Sequence, residues 1–278
     1  MEMEIVETID DLRAARTRLT QPVGLVPTMG YLHEGHLSLV RRARQECQGV
    51  VVSIYVNPSQ FGPQEDLAKY PRDLTRDLEL LRAENVDLVW TPGDSVMYPA
   101  GYQTWVTVEQ VTMHLEGAIR TWHFRGVATV VAKLFNAVQP QQVYFGQKDA
   151  QQAVVINRMA RDLDFPVKIV ICPIVREPDG LAMSSRNVYL NQAERQAAVA
   201  LSHGLLNARS AYERGVRDAS QLRQVVLDTL ATAPLVHVQY VSCADPETLE
   251  ELEGRIDHAL ISLAATLGKT RLIDNVLV

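Results

Sequence analysis

The most constraining feature of this 278-residue chain is the stretch Val23-Gly-Leu-Val-Pro-Thr-Met-Gly-Tyr-Leu-His-Glu-Gly-His36. It opens as an apolar run of strand type, then passes through two backbone breakers, Pro27 and Gly30. Immediately afterwards Leu37, Leu39, Val40 and Ala43 recur at helical spacing among Arg41, Arg42 and Arg44, which predicts a helix starting near Gly35. Strand, glycine-bearing turn and helix start form a natural anion site. The first helical amides have no intrahelical partner, and the macrodipole is positive at that end. A single histidine at a helix start is ordinarily a partly exposed polar residue. His33 and His36, three apart on one face with Gly35 between them, would instead add two donors where the backbone can be approached closely.

The order strand, Pro-Thr-Met-Gly, His-x-Gly-His, helix resembles the signature of the nucleotidylyltransferase superfamily, relatives of the class I aminoacyl-tRNA synthetases. There the histidines stabilise charge on the phosphates during attack at a nucleotide α-phosphorus.

Similar alternation continues beyond the opening stretch. A helix over 7–20, capped by Thr8 with Asp10 and Asp11 in its first turn, precedes the strand at 23–27 and the helix at about 35–47. Residues 50–56 read as a strand apolar on both faces, followed by the loop Asn57-Pro58-Ser59-Gln60-Phe61-Gly62. A helix over 73–84 and strands at 86–90 and 104–108 follow. A helix at about 124–137, a strand at 141–145, a helix over 149–162 and a strand at 167–172 complete the pattern. This is the signature of a Rossmann-like, doubly wound α/β domain with a parallel sheet. After a loop at 173–180 the character changes. Asn191 with Glu194, and Asp218 with Gln221, have capping-box spacing at the starts of long helices. Strand-like runs at 235–242, 258–264 and 271–277 then imply a smaller α+β domain, with the boundary near 175–185. The reading is therefore 1–177 for the nucleotide- and substrate-binding domain and 178–278 for a domain closing over the site.

Composition narrows the partners. Net charge of −6 argues against a large nucleic-acid surface, which needs clustered Lys and Arg. Apolar runs fall far short of the ~20 residues that span a bilayer. The acidic start, Glu2, Glu4, Glu7, Asp10 and Asp11, has the wrong charge for a secretory signal. Cys47, Cys172 and Cys243 are odd in number and widely spaced, so they read as reduced, buried thiols of a cytoplasmic protein. No metal site is expected from them.

Three further clusters fall in turns or loops. Lys148-Asp149 follows a strand at a helix start, and could set an ammonium on phosphate and a carboxylate on ribose; taken alone it reads equally as a surface ion pair. Met183-Ser184-Ser185-Arg186 offers two hydroxyls and a guanidinium to a polyphosphate, or is simply a polar loop. Gln60 and Gln152 are uncharged amides able to hold a small polar substrate, although most glutamines are only solvated.

Together these clusters resemble the pantoate–β-alanine ligase family. Its motifs stand in order as PTMGYLHEGH (27–36), VNPSQF (56–61), YPR (70–72), HFRGV (123–127), GQKDAQQ (146–152) and GLAMSSRN (180–187), within a resemblance running from about residue 3 to the C-terminus. The resemblance implies that pantoate carboxylate attacks the α-phosphorus of ATP to give pantoyl adenylate and pyrophosphate. The β-alanine amine then releases pantothenate and AMP. Carried over by position, ATP contacts fall on Met29, Gly30, Tyr31, Leu32, His33, Glu34, Gly35, His36, Gly146, Gln147, Lys148, Asp149, Val175, Met183, Ser184, Ser185 and Arg186. His36, His33, Lys148 and Arg186 would be catalytic, with His36 in the proton-donor position. Gln60 and Gln152 would hold pantoate, and Gln60 would also lie near β-alanine. The family also implies ATP as co-substrate with Mg²⁺ carried on it, and a homodimer.

Two positions depart from the family: Gln147 where Glu is usual, and Ala150 where an aromatic is common. Asp77 follows YPR at about the distance of a magnesium ligand, but Arg76 beside it weakens that assignment. Three alternatives stand beside the ligase: a nucleotidylyltransferase with another small acceptor, a tRNA-charging enzyme, and a nucleotide-binding module that has lost catalysis. The acidic chain leaves little room for a tRNA-binding domain, and the retained histidines, Lys148 and Arg186 argue against lost catalysis.

Overall fold

The computed structural model describes residues 3–63 and 65–278, so Glu2 of the acidic start lies outside the described residues. Six parallel strands form the first sheet: β1 (Glu4–Val6), β2 (Val23–Thr28), β3 (Gly49–Ile54), β4 (Leu88–Trp90), β5 (Gln142–Gly146) and β6 (Lys168–Cys172). Their spatial order is β1-β4-β3-β2-β5-β6. Successive crossovers thus run outward from β2 through β3 to β4, then return to its other side at β5. The topological switch point lies between the carboxyl ends of β2 and β5, where ligands bind in open α/β sheets.

Strand alternation explains the layering. Leu25 and Val51 face one side of the sheet, packing with Leu12, Phe135 and Ile156 from helices Ile9–Thr17, His123–Val138 and Ala150–Asp162. Their neighbours Val26, Val50 and Val52 face the other, against Leu37, Val40 and Leu81 of helices Glu34–Glu46 and Leu74–Ala83. Beyond residue 180, β7 (His237–Ala244), β8 (Leu260–Leu267) and β9 (Thr270–Leu277) form an antiparallel sheet. That sheet and helices Gln192–Glu213 and Ala219–Ala231 enclose a further core, from Leu181 to Val276. Capping is as the spacing implies at Thr8, and at Asn191 with Glu194; Asp218 accepts from the Gln221 amide. Among the described residues no helix is long and apolar enough to cross a membrane.

One expected strand does not form. Residues 104–108 are irregular, because the Val106 amide donates to Thr129 Oγ1 on helix His123–Val138 (3.0 Å) instead of to a neighbouring strand. Val106 and Val108 still pack on the core, which is why the segment has strand-like apolar spacing. Conversely, β1 and the short helices Asp94–Met97 and Leu115–Ile119 have no counterpart in the sequence reading.

Candidate active site

A cleft of about 1240 Å³ opens over the switch point. The turn after β2 forms one wall. Its conformation is fixed from behind by Asp77, whose two carboxylate oxygens accept the amides of Tyr31 (2.7 Å) and Leu32 (2.7 Å). Gly30 sits at φ +82°, and a Cβ there would lie 3.1 Å from Asp77 Oδ2. Asp77 is 1% exposed and does not line the cleft, so the magnesium role considered for it is replaced by a structural one.

The turn delivers His33 to the N-cap of helix Glu34–Glu46. His33 Nδ1 accepts the Gly35 amide (3.1 Å), and His36 Nδ1 accepts the His33 amide (3.3 Å). This is a capping box built from two imidazoles. A backbone amide can only donate, so each Nδ1 is an acceptor and each neutral ring carries its proton on Nε2. The rings lie 4.1 Å apart, centroid to centroid, and both line the cleft. Gly35 is required between them, since a Cβ there would stand 2.9 Å from the His33 ring. Burial, then Lys148, lowers the His33 pKa to about 4. Burial, then His33 and Lys148, holds His36 well below the ordinary imidazole range. Two uncharged N–H donors therefore face the cleft at neutral pH.

The turn Gln147–Asp149 after β5 brings Lys148 to the same cleft, with Nζ 3.4 Å from Asp149 Oδ1. A loop leading into the second core carries Val175, Met183, Ser184, Ser185 and Arg186 to the same space. It is hinged by the Met183 amide on the Val175 carbonyl (3.0 Å), and Ser185 Oγ donates to the Tyr31 carbonyl (3.3 Å). Arg186 makes two bonds to Asp66, each 2.9 Å. Burial opposes its charge, but Asp66 restores it and raises its pKa above the ordinary value.

Gln60 and Gln152 line the same cleft near the apolar floor of Val127, Val130, Val131, Leu134 and Phe145. Asn57, 1% exposed, holds the Gln60 loop by donating to the Gly126 carbonyl (3.2 Å) and to Gln60 Oε1 (3.3 Å). Of the residues singled out in the sequence, Met29, His33, Gly35, His36, Gly146, Lys148, Asp149, Val175 and Met183 to Arg186 all line the cleft. Gly30, Tyr31, Leu32, Glu34 and Gln147 do not. Leu32 is buried in the core, Glu34 pairs with Arg41 on the surface, and the Gln147 side chain donates to Asn275 (3.0 Å).

Sequence reasoning gave no role to a second polar group in the cleft. His123 Nδ1 donates to the Gln60 carbonyl (2.9 Å), leaving Nε2 as its acceptor. Burial and then Arg120 lower its pKa to about 4. Arg120 is bidentate to Glu65 (2.7 Å twice), and Arg271 reaches Glu116 from β9 (2.7 Å). The HFRGV motif carried His123 in plain view. Glu116 and Arg271 had no comparable signal, because their pairing joins segments 155 residues apart. Among the described residues no three His, Cys, Asp or Glu side chains are placed to hold a metal.

Residues 4–277 match the family model described as pantoate-beta-alanine ligase. The chain is 57% identical over 273 residues to the pantothenate synthetase of Roseiflexus castenholzii, covering 98% of each. It is 58% identical over 275 residues to that of Herpetosiphon aurantiacus, covering 98% of this chain and 99% of the relative. Among solved structures, pantothenate synthetase from Thermus thermophilus superposes with a TM-score of 0.94 at 48% identity, with 99% of both chains covered. A pantoate-beta-alanine ligase from Francisella tularensis, solved with beta-gamma ATP and beta-alanine, gives a TM-score of 0.81 at 33% identity, with coverage of 99% and 98%.

Proposed function

Because the chain belongs to the pantoate–β-alanine ligase family, we propose that the switch-point cleft is where its two half-reactions occur. The enzyme condenses pantoate with β-alanine at the expense of ATP, through pantoyl adenylate, releasing AMP and pyrophosphate. The observation that carries the site assignment is that His33, His36, Lys148 and Arg186 line one cleft together with Gln60 and Gln152.

Pantoate lies on the apolar floor with its hydroxyls toward Gln60 and Gln152, leaving its carboxylate free to attack the α-phosphorus. A carboxylate oxygen–phosphorus bond forms as the bond to the pyrophosphate oxygen breaks. Negative charge then spreads over the transferring phosphoryl group and the departing pyrophosphate. The Nε2–H groups of His33 and His36, the Lys148 ammonium and the Arg186 guanidinium meet that charge as fixed donors. Neutral histidines suit this role, since they donate without repelling Lys148. Arg186 must exchange Asp66 for phosphate, so part of its grip becomes available only when ATP arrives. Mg²⁺ fits as an ion carried by the phosphates, which commonly supply most of its ligands and leave few to protein. In the second step the free amine of β-alanine attacks the mixed anhydride, the amide bond forms, AMP leaves, and one amine proton is lost. A closed cleft shields the anhydride from water.

Residues 1–177 serve in this reading as the domain binding ATP and pantoate, and 178–278 as the domain that closes over them. Three free, buried cysteines support a cytoplasmic enzyme. Dimerisation is proposed by kinship, and light scattering at the mass of a single 31.0 kDa chain would refute it. Pyrophosphate exchange into ATP tests the site and the first half-reaction together. Exchange should require pantoate and proceed without β-alanine; exchange without pantoate would point to a nucleotidylyltransferase with another acceptor.

A further inference from the structure

The turn carrying Lys148 lacks side-chain caps of its own: neither Gly146 before it nor Asp149 at the start of helix Ala150–Asp162 supplies one. It is tied instead from the second sheet. Asn275, in the C-terminal half of β9 and 2% exposed, donates its Nδ2 to the carbonyls of Gln147 (3.0 Å) and Lys148 (2.9 Å). Its Oδ1 accepts from Gln147 Nε2 (3.0 Å). The two carbonyls can only accept, so they fix which way the Asn275 amide points, and its Oδ1 is left for the Gln147 donor. The family-atypical glutamine at 147 thus suits this chain, because a glutamate there would set a second acceptor against Asn275 Oδ1. Asn275 in turn is held by its pairing opposite Ser262 of β8 and by its own amide on Asp274 Oδ1 (2.7 Å).

From this geometry we infer that Asn275 is a positioning residue for adenylation: it sets the place of the Lys148 ammonium by holding the two carbonyls that flank the Lys148 α-carbon. This rests on the reading of Lys148 as a phosphate ligand. Among the described residues the Lys148 side chain is otherwise lightly restrained, with a single ion pair to Asp149 at 3.4 Å. Its reach to phosphate is therefore governed by where the turn stands. Misplacing a catalytic group by about 1 Å costs on the order of 10²-fold in rate. The preceding residue of β9 has a parallel function. Asp274 binds Arg176 through two bonds (2.6 and 3.0 Å), at the base of the loop that leads to Ser184 and Arg186. Adjacent β9 residues therefore tie down both the Lys148 turn and the base of the loop that carries Arg186.

The test measures pantoate-dependent pyrophosphate exchange in Asn275→Ala, Asn275→Asp, Lys148→Ala and the Lys148→Ala/Asn275→Ala double variant, each checked for a cooperative melt. Asn275→Asp keeps the shape and the acceptor for Gln147 while deleting both donor bonds. It should lower the exchange kcat by about 10- to 100-fold and leave the pantoate KM within about twofold. In the Lys148→Ala background, Asn275→Ala should cost less than about threefold, because the group it positions is already gone. Wild-type exchange in Asn275→Asp, or losses that multiply in the double variant, would overturn the role of Asn275 while leaving Lys148 in place. Wild-type exchange in Lys148→Ala would remove the phosphate reading of Lys148, and this inference with it.

Discussion

His33 and His36 owe their tautomers to the same amides that begin their helix. Each Nδ1 is occupied by a backbone donor, so protonating either ring breaks a cap as well as charging a buried group. Their ¹⁵N resonances should show an Nδ1 lone pair and a protonated Nε2 between pH 6 and 8; an ordinary titration near pH 6.5 in either ring would refute this. His36→Ala removes one Nε2–H from the phosphoryl path and should lower kcat by ~10²- to 10³-fold with the fold intact. Near-normal turnover would exclude His36 from the chemistry. A stability consequence follows from His33 and His123, each lowered to about 4 mainly by burial. Their folded pKa lies below the unfolded value, so the unfolded chain takes up protons first on acidification. Their contribution to stability is complete above about pH 6.5 and is lost as pH falls towards 4. Denaturant midpoints should decline over that window. His123→Gln, which can keep a donor to the Gln60 carbonyl, should show a shallower decline, and an unchanged slope would contradict the assignment. In the sequence the two histidines of the opening stretch stand out by spacing, but their tautomers do not. Those depend on which nitrogen the backbone engages.

At the scale of elements, the strand–turn–helix unit of residues 23–46 depends on a carboxylate supplied by a separate helix. Asp77, near the start of helix Leu74–Ala83, accepts both amides at the top of the turn that precedes His33. Burial raises its pKa, and the two amides act against that rise. Asp77→Ala would orphan two donors, at about 1–3 kcal/mol each. Chemical denaturation should register that loss, and the ATP KM should rise more than the pantoate KM, because the freed turn carries Met29 and His33. Equal effects on both substrates would argue against a specific link between Asp77 and the nucleotide wall. Elements with strong local signals were legible in the sequence: β3 is apolar on both faces, and helix Gln192–Glu213 has a reciprocal cap at Asn191 and Glu194. Elements defined by distant partners were not. β1 is three residues long and exists by pairing with β4, while 104–108 has strand-like residues but gives its Val106 amide to a helix side chain. Asp77 is visible in the sequence as an acid near YPR; only its depth and its two amide partners separate a turn anchor from a metal ligand.

In the whole molecule the two sheets are joined by apolar packing, with Leu249 and, from β8, Leu260 buried in the first core, and across the cleft by polar contacts. Glu116, 6% exposed on helix Leu115–Ile119, accepts from Tyr240 of β7 (2.8 Å) and from Arg271 of β9 (2.7 Å). Beside these, Arg176 meets Asp274, and Asn275 meets the Lys148 turn. Polar ties of this kind suit a site that must admit two substrates, hold an anhydride and then release product, since they separate into water at less cost than a buried apolar face. Breaking one partner of the Glu116 cluster tests this. A fully buried pair broken on one side costs about 3–5 kcal/mol; Arg271 is 24% exposed, so Arg271→Met should cost less than that. The loss should be concentrated at the junction. Backbone amides of the Gln147–Asp149 turn and the adjoining half of β9 should exchange faster with solvent, while β2 and β3 keep their protection. Catalysis should suffer by leakage, with more AMP released per pantothenate formed, because an opened cleft lets water reach the adenylate. Unchanged exchange at the turn together with unchanged AMP-to-pantothenate stoichiometry would show that Glu116 and Arg271 do not keep the cleft closed.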